Sequence, residues 1–189
     1  MRPLFSVGKL SLHPPGHPGR SSTLSNLAVH LFSRYEQLRG IDDLSEAIIL
    51  DREALSLRPP GRPDRSSSLN NFANCLSYRN NQLEGDDLSE AIVLRREALS
   101  FHPLRHPDRS MCLNSLAVDL FSRYGQLEGI DDLKKAIVLD LEALSLRPPG
   151  NPDRSSSLNN LTFHPSSRYK RLGEIDDLNE AIVLDREAL

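Results

Sequence analysis

The sequence predicts an all-α solenoid built from antiparallel helix pairs, and three observations carry that prediction. The phrase Asp86-Asp87-Leu88-Ser89-Glu90-Ala91-Ile92-Val93-Leu94-Arg95-Arg96-Glu97-Ala98-Leu99 recurs in close variants at residues 42–55, 131–144 and 176–189. Units that end on each phrase span residues 11–55, 56–99, 100–144 and 145–189, with lengths of 45, 44, 45 and 45. Self-similarity at such a period marks an array whose single units cannot bury their own apolar face and cover it with a neighbour's. Apolar residues recur at helical spacing twice in each unit, once before the phrase and once within it. Finally, tryptophan is absent and aromatics make up only 5% of the chain, so the core must be Leu, Ile, Val and Ala packed between helices.

The first helix of a unit, helix A, is read from Leu24, Leu27, Ala28 and Leu31, which fall at i, i+3, i+4 and i+7 on one face. The matching runs open on Pro63-Asp64, Pro107-Asp108 and Pro152-Asp153, where the aspartate is expected to accept hydrogen bonds from first-turn amides. Helix A should end near residues 37–40, 82–85 and 126–129, with glycine supplying the left-handed conformation that stops helices. Helix B opens on the paired aspartates, and Asp43 with Glu46 and Asp87 with Glu90 have the spacing of a capping box. Its apolar stripe is Leu44, Ala47, Ile48, Leu50, Ala54 and Leu55, which leaves Asp51, Arg52 and Glu53 toward solvent. Arg58-Pro59-Pro60-Gly61 ends it, because successive prolines remove amide donors. In the fourth unit Pro165 stands where Leu31, Leu76 and Leu120 stand in the others. A proline inside a helix costs about 3 kcal/mol, so a break or kink is expected near His164.

Residues 1–10 form a non-repeat N-terminal segment, and no polar capping helix follows the last phrase. A fragment of a longer array, or a degenerate copy, is therefore expected. The balance of 23 basic against 26 acidic residues gives no global pull toward nucleic acid or anionic membrane, and neither is an expected partner. No apolar run approaches the roughly 18 residues needed to span a bilayer, and the N-terminal apolar core is too short for a signal peptide. An intracellular, cytoplasmic protein is expected. Cys75 aligns with His30 and Cys112 with Ser68, so the repeat requires no bridge and both thiols are expected to be reduced.

The unit resembles the tetratricopeptide repeat, in the longer version seen in kinesin light chains and in fungal tandem arrays. The residues that carry the resemblance are Leu69-Asn70-Asn71-Phe72-Ala73 in helix A, Ala91, Ala98 and Leu99 in helix B, Pro103 after it, and the connector His106-Pro107-Asp108. Four copies in register give these weak signals their force. The loop between A and B is expected to be longer than the family's unless helix A runs longer, and the family's helix-B aromatic is replaced by Asp51, Arg95, Asp140 or Asp185. The resemblance implies a right-handed solenoid acting as a protein-interaction scaffold, with helix A lining a concave groove where asparagines hold the backbone of an extended peptide. The alternative it implies is a regulatory or spacer segment of a larger CHAT-protease or nucleotide-binding switch protein. By resemblance the groove asparagines are Asn26, Asn70, Asn71, Asn114, Asn159 and Asn160, with Asn74 one turn on. Val29, Phe32, Tyr78, Val118 and Phe121 would then tune specificity. A carboxamide both donates and accepts, so it suits any peptide bond; it suits equally well a bond to the adjacent helix that keeps the stacking register.

Arg34, Arg79, Arg123 and Arg168 form a second column. Guanidinium is able to clamp carboxylates or phosphates of an acidic ligand. A pair with the aspartates that open helix B is favoured, because a repeated acid always accompanies the repeated base. His13 with His17 and His102 with His106 have a spacing of four, but they lie in proline-rich connectors and the second unit has Arg58 and Arg62 in the same places. A basic, solvated loop is expected there, not a zinc site. The serines recur with the unit as helix openings, not as a unique nucleophile. No acid, base and nucleophile stand together outside the repeat, so neither catalysis nor a metal or cofactor is expected, whereas the uncapped ends would permit self-association.

Overall fold

The computed structural model describes residues 17–83, 85–173, 179, 182 and 183. Its helices are α1 (Arg20–Leu38), α2 (Ile41–Ser56), α3 (Pro63–Leu83), α4 (Asp87–Ser100), α5 (Arg109–Leu127), α6 (Ile130–Ser145) and α7 (Arg154–Leu172). Among the described residues there is no strand. The odd helices are the A helices and the even ones the B helices. The first ten residues, His13, and most of the fourth phrase with Asp185 lie outside the described residues.

Each helix packs on its predecessor and its successor, from α1 on α2 through to α6 on α7. The A helices of neighbouring units also touch, α1 with α3 and α5 with α7. That closer approach makes the A helices the inner layer. The apolar face of α1 is buried at Leu24, Ala28 and Leu31, and the stripe of α2 at Leu44, Ala47, Ile48, Leu50 and Ala54. One cluster joins these to Leu69, Phe72, Ala73 and Leu76 of α3 and to Ala91, Leu94 and Ala98 of α4. Further clusters continue the core through α5 and α6 to Leu158 and Leu161 of α7. Each fully buried leucine or isoleucine contributes about 1.5–3 kcal/mol, so stability accumulates along the array by contacts between neighbours.

Several local expectations are corrected. The left-handed residues that end α1 and α5 are Arg39 (φ 56°) and Glu128 (φ 54°), held by N–H bonds to the carbonyls of Tyr35 and Tyr124 at 2.7 Å. Gly40 and Gly129 are extended and open the next helix. Glycine takes the left-handed role after α7, at Gly173 (φ 73°), and in the Pro-Pro-Gly connectors, at Gly61 (φ 90°) and Gly150 (φ 88°). Asp108 precedes α5 without a side-chain cap bond. The acceptor comes from two residues earlier: His17 Nδ1 takes the Gly19 amide at 3.0 Å, His106 Nδ1 that of Asp108 at 3.2 Å, and Asn151 Oδ1 that of Asp153 at 2.9 Å. Nor does the capping box form, since α2 and α4 begin without a side-chain cap bond and Asp43 and Asp87 turn to arginines. The aspartates still stand in the first turn, where the helix dipole favours negative charge.

Helix α7 is continuous from Arg154 to Leu172, so Pro165 does not break it. Leu158 and Leu161 anchor its first half against Leu133 and Ile137 of α6. The hydroxyls of Thr162 and Ser166 bond carbonyls one turn back, at 3.0 and 2.8 Å. A further repeated clasp was not anticipated. Arg20, Arg65 and Arg109, each in the first turn of an A helix, bond Glu53, Glu97 and Glu142 of the B helix of the same unit at 2.6 Å. Arg65 and Arg109 also reach back to connector carbonyls, those of Arg58 and His102. Guanidinium suits this place because it presents several donors in a fixed fork.

Candidate functional site

A buried polar seam runs between units. Asp51, expected in solvent, is 1% exposed, as its position faces the following A helix and not the outer surface. The aligned residues Arg95 and Asp140 are 5% and 0% exposed. Each meets a residue of the next unit's A helix: Asp51 Oδ2 accepts from Cys75 Sγ at 3.8 Å, Arg95 pairs with Asp119, and Asp140 Oδ2 lies 2.7 Å from His164 Nδ1. Burial pushes the Asp51 carboxyl up to about 7, against the opposing pull of the Cys75 contact and Arg58. Burial likewise raises Asp119, opposed by Arg95 and by Ser77, whose Oγ lies 2.7 Å away. It raises Asp140 too, against the pull of His164. The Cys75 thiol is pushed well above its ordinary range by desolvation and by Asp51, which keeps it a donor. Both cysteines are buried and free.

The asparagines divide by what they touch. Asn70 Nδ2 donates to Cys112 Sγ at 3.3 Å and Asn114 Nδ2 to Ser157 Oγ at 3.2 Å, each reaching the next A helix. Asn114 is 9% exposed. This column therefore links neighbouring A helices and favours the stacking-register alternative for Asn70 and Asn114. Asn160 is half-buried against Asp140. Asn26 and Asn159 are exposed and Asn71 is half-buried. Asn74 Oδ1 accepts from Arg95 Nη2 at 3.0 Å, leaving its amide hydrogens to donate.

Three of the column arginines are engaged at home. Arg34 bonds Asp43, Arg79 bonds Asp87 and Arg123 bonds Asp132, each through Nε and Nη2 at 2.5–2.8 Å. Their guanidinium groups hold Asp43 and Asp132 below the usual carboxylate range. The side chain of Arg168 lies outside the described residues. His102 is buried, which corrects the solvated-loop expectation: one ring nitrogen lies 2.9 Å from Ser66 Oγ and the other 3.0 Å from Cys112 Sγ. His102, His106 and Asp108 do converge, with ligand atoms within 4.8 Å of one another. Both nitrogens of His102 are already occupied by protein partners, and those of Arg58 and Arg147 in the same column are guanidinium donors to Ser25 and Ser157.

The place where the candidate groove residues gather is the junction of α1 and α3 on the inner layer. Val29 and Phe32 of α1 and Asn71 and Asn74 of α3 line a small depression of about 70 Å³ whose floor includes Asp51 and Cys75. Tyr78 stands against Phe32, with its ring edge-on at 5.1 Å. At the later junction Phe121 and Phe163 meet edge-on at 5.3 Å, and Val118 and Phe163 are exposed.

No family profile matches the sequence, and no curated protein matches it. Among solved structures the chain is similar to BtubC (BKLC) from P. vanneervenii, with a TM-score of 0.66 and 21% identity. The chain is an all-helical repeat solenoid. The likeness covers 89% of this chain and 61% of that one, so the solenoid spans less than two thirds of the length of BtubC. No helix among the described residues is long and apolar enough to cross a membrane.

Proposed function

We propose that this solenoid is a protein-interaction scaffold that binds an extended peptide segment along its inner layer, without catalysis of its own. The observation that carries the reading is the α1–α3 depression, where the carboxamide of Asn71 has no hydrogen bond among the described residues and stands beside exposed Val29 and half-buried Phe32. An extended strand offers alternating N–H and C=O groups, and a carboxamide answers both. Apolar neighbours then select the side chain that enters the depression. Asn26 and Asn159, exposed on the same layer, extend the contact along the array. The chemistry is that of tetratricopeptide arrays of the kinesin-light-chain type, and the cytosol is its natural setting.

The test is selection of random peptides displayed on phage against the whole chain, followed by titration of the selected peptides against variants. Asn71→Ala is expected to weaken them about tenfold, equal to 1.4 kcal/mol, with helical circular dichroism unchanged. Peptides that bind Asn71→Ala and Asn26→Ala as tightly as the wild type would sink the inner-layer reading.

A further inference from the structure

Successive junctions of the outer, B-helix layer are not equivalent. At the first, Arg52 of α2 reaches across to α4, where its Nη2 donates to Glu90 Oε2 at 2.8 Å. The same guanidinium lies over the ring of Phe72, 5.4 Å from its centroid. Base, acid and ring together close the gap between the two B helices, and Phe72 beneath is 1% exposed. At the next junction those three places are held by Arg96, Lys135 and Leu116. The acid has become a base, so Arg96 has lost its bridge. The ring has become a leucine, which is smaller and offers no π-face. A further base, Lys134, stands where Ser45 and Ser89 stand in the earlier units.

The result is an opening of about 310 Å³ between α4 and α6, with Leu116, Leu120 and Val138 in its lining and Arg96, Lys134 and Lys135 at its rim. Among the described residues none of these three cations has a carboxylate within ion-pairing distance. The acid whose titration Lys135 and Arg96 both influence, Asp132, is already held by Arg123 through two bonds of 2.7 and 2.8 Å. Val138 is 62% exposed, so apolar surface and unpaired positive charge share one patch.

We propose that this opened junction binds an acidic peptide segment in which a bulky apolar side chain is flanked by carboxylates. The apolar side chain packs beside exposed Val138, with the buried Leu116 and Leu120 beneath it. The carboxylates meet Arg96 on α4 and the two lysines on α6, which relieves the repulsion between like charges across the gap. The volume is at the lower end of ligand pockets, and it accommodates one side chain rather than a folded surface. The site lies on the layer opposite to Asn71, so the two binding modes are independent.

The probe is a fluorescein-labelled peptide, Glu-Asp-Leu-Phe-Asp-Glu, titrated with the whole chain and followed by anisotropy at low ionic strength. The wild type is expected to bind it. Lys135→Glu combined with Leu116→Phe, which rebuilds the first junction's closure, is expected to weaken binding at least about tenfold, as is a probe with Gly-Gly in place of Leu-Phe. Lys135→Glu alone, a surface change, covers the case in which the double variant fails to fold and is expected to act in the same direction. Loss of affinity in Asn71→Ala would place the probe on the inner layer and overturn the proposal. The proposal is overturned if the wild type does not bind the probe, if Lys135→Glu binds it as tightly as the wild type, or if the Gly-Gly probe binds equally well.

Discussion

Asp140 Oδ2 and His164 Nδ1 stand 2.7 Å apart with both side chains out of solvent, and they occupy the same two repeat positions as Asp51 with Cys75 and Arg95 with Asp119. Acid and partner change sides along the array. Asp faces Cys, then Arg faces Asp, then Asp faces His, always from a B helix to the A helix that follows. Desolvating such groups is costly unless each is matched, so the exchange is tolerated only when both members change together.

Asp51 gives the clearest pH dependence. Its carboxyl is raised to about 7 in the folded chain by burial. A carboxyl raised on folding favours the protonated form, so its contribution is full below the unfolded value of about 3.9 and is lost as pH rises to about 7. The integrated effect is on the order of 4 kcal/mol. Denaturant unfolding from pH 4 to 8 should show Asp51→Asn gaining on the wild type as pH rises; parallel curves would contradict it.

Breaking one member of the Arg95–Asp119 pair leaves a buried charge alone. Arg95→Asp, which sets two carboxylates against each other, should cost about 3–5 kcal/mol at neutral pH. Adding Asp119→His gives this junction the chemistry of the next one and should restore much of the loss. A double-mutant cycle in urea should return a coupling of about 1–3 kcal/mol, and no coupling would refute the exchange rule.

The fork between Arg123 and Asp132 is partly solvated, with side-chain exposures of 22% and 13%. Arg123→Ala should therefore cost only about 0.5–1 kcal/mol, less in high salt. Because Asp132 is lowered on folding, the contribution is present above the unfolded carboxylate value of about 3.9 and lost as pH falls through the lowered one. Thermal melts at two salt concentrations check both statements.

Asn80 occupies the column of Tyr35 and Tyr124, is 0% exposed, and has no hydrogen-bond partner for either amide atom among the described residues. A cavity of about 910 Å³ opens beside it, where the second unit also lacks the isoleucine present as Ile41 and Ile130. Asn80→Tyr should stabilise the chain by about 1–2 kcal/mol, since an unsatisfied buried amide is removed and space is filled. For a chain of this size that is a rise of about 2–8 °C in Tm, read by calorimetry.

The repeat was legible because identical phrases at fixed spacing leave no other architecture, and helix A ends where Gln-Leu followed by glycine predicts. The Arg-to-Asp forks were legible for a similar reason, because base and acid recur together. Asp51 was not, as its place at the margin of the apolar stripe of α2 looks solvent-facing on a single helix. What buries it is the next unit's A helix, 24 residues on. Setting Asp51, Arg95 and Asp140 beside Cys75, Asp119 and His164 is the comparison that would have exposed the seam. Asn70 and Asn114 could not be divided from the other asparagines in the sequence, because a carboxamide serves a neighbouring helix and a ligand with the same two groups. Pro165 leaves α7 unbroken because the burial of Leu158 and Leu161 against α6 outweighs its local propensity.

The alternating seam also bears on how such a gene changes over time. Nearly identical units invite slippage and unequal crossing-over, which delete or duplicate a whole copy. Loss of the second unit would set Asp51 against Asp119, and duplication of the third would set Asp140 against Asp119, each burying two acids face to face. The order of copies is thus guarded by electrostatics, and recombinants that scramble it should be purged at the level of folding before any partner is tested.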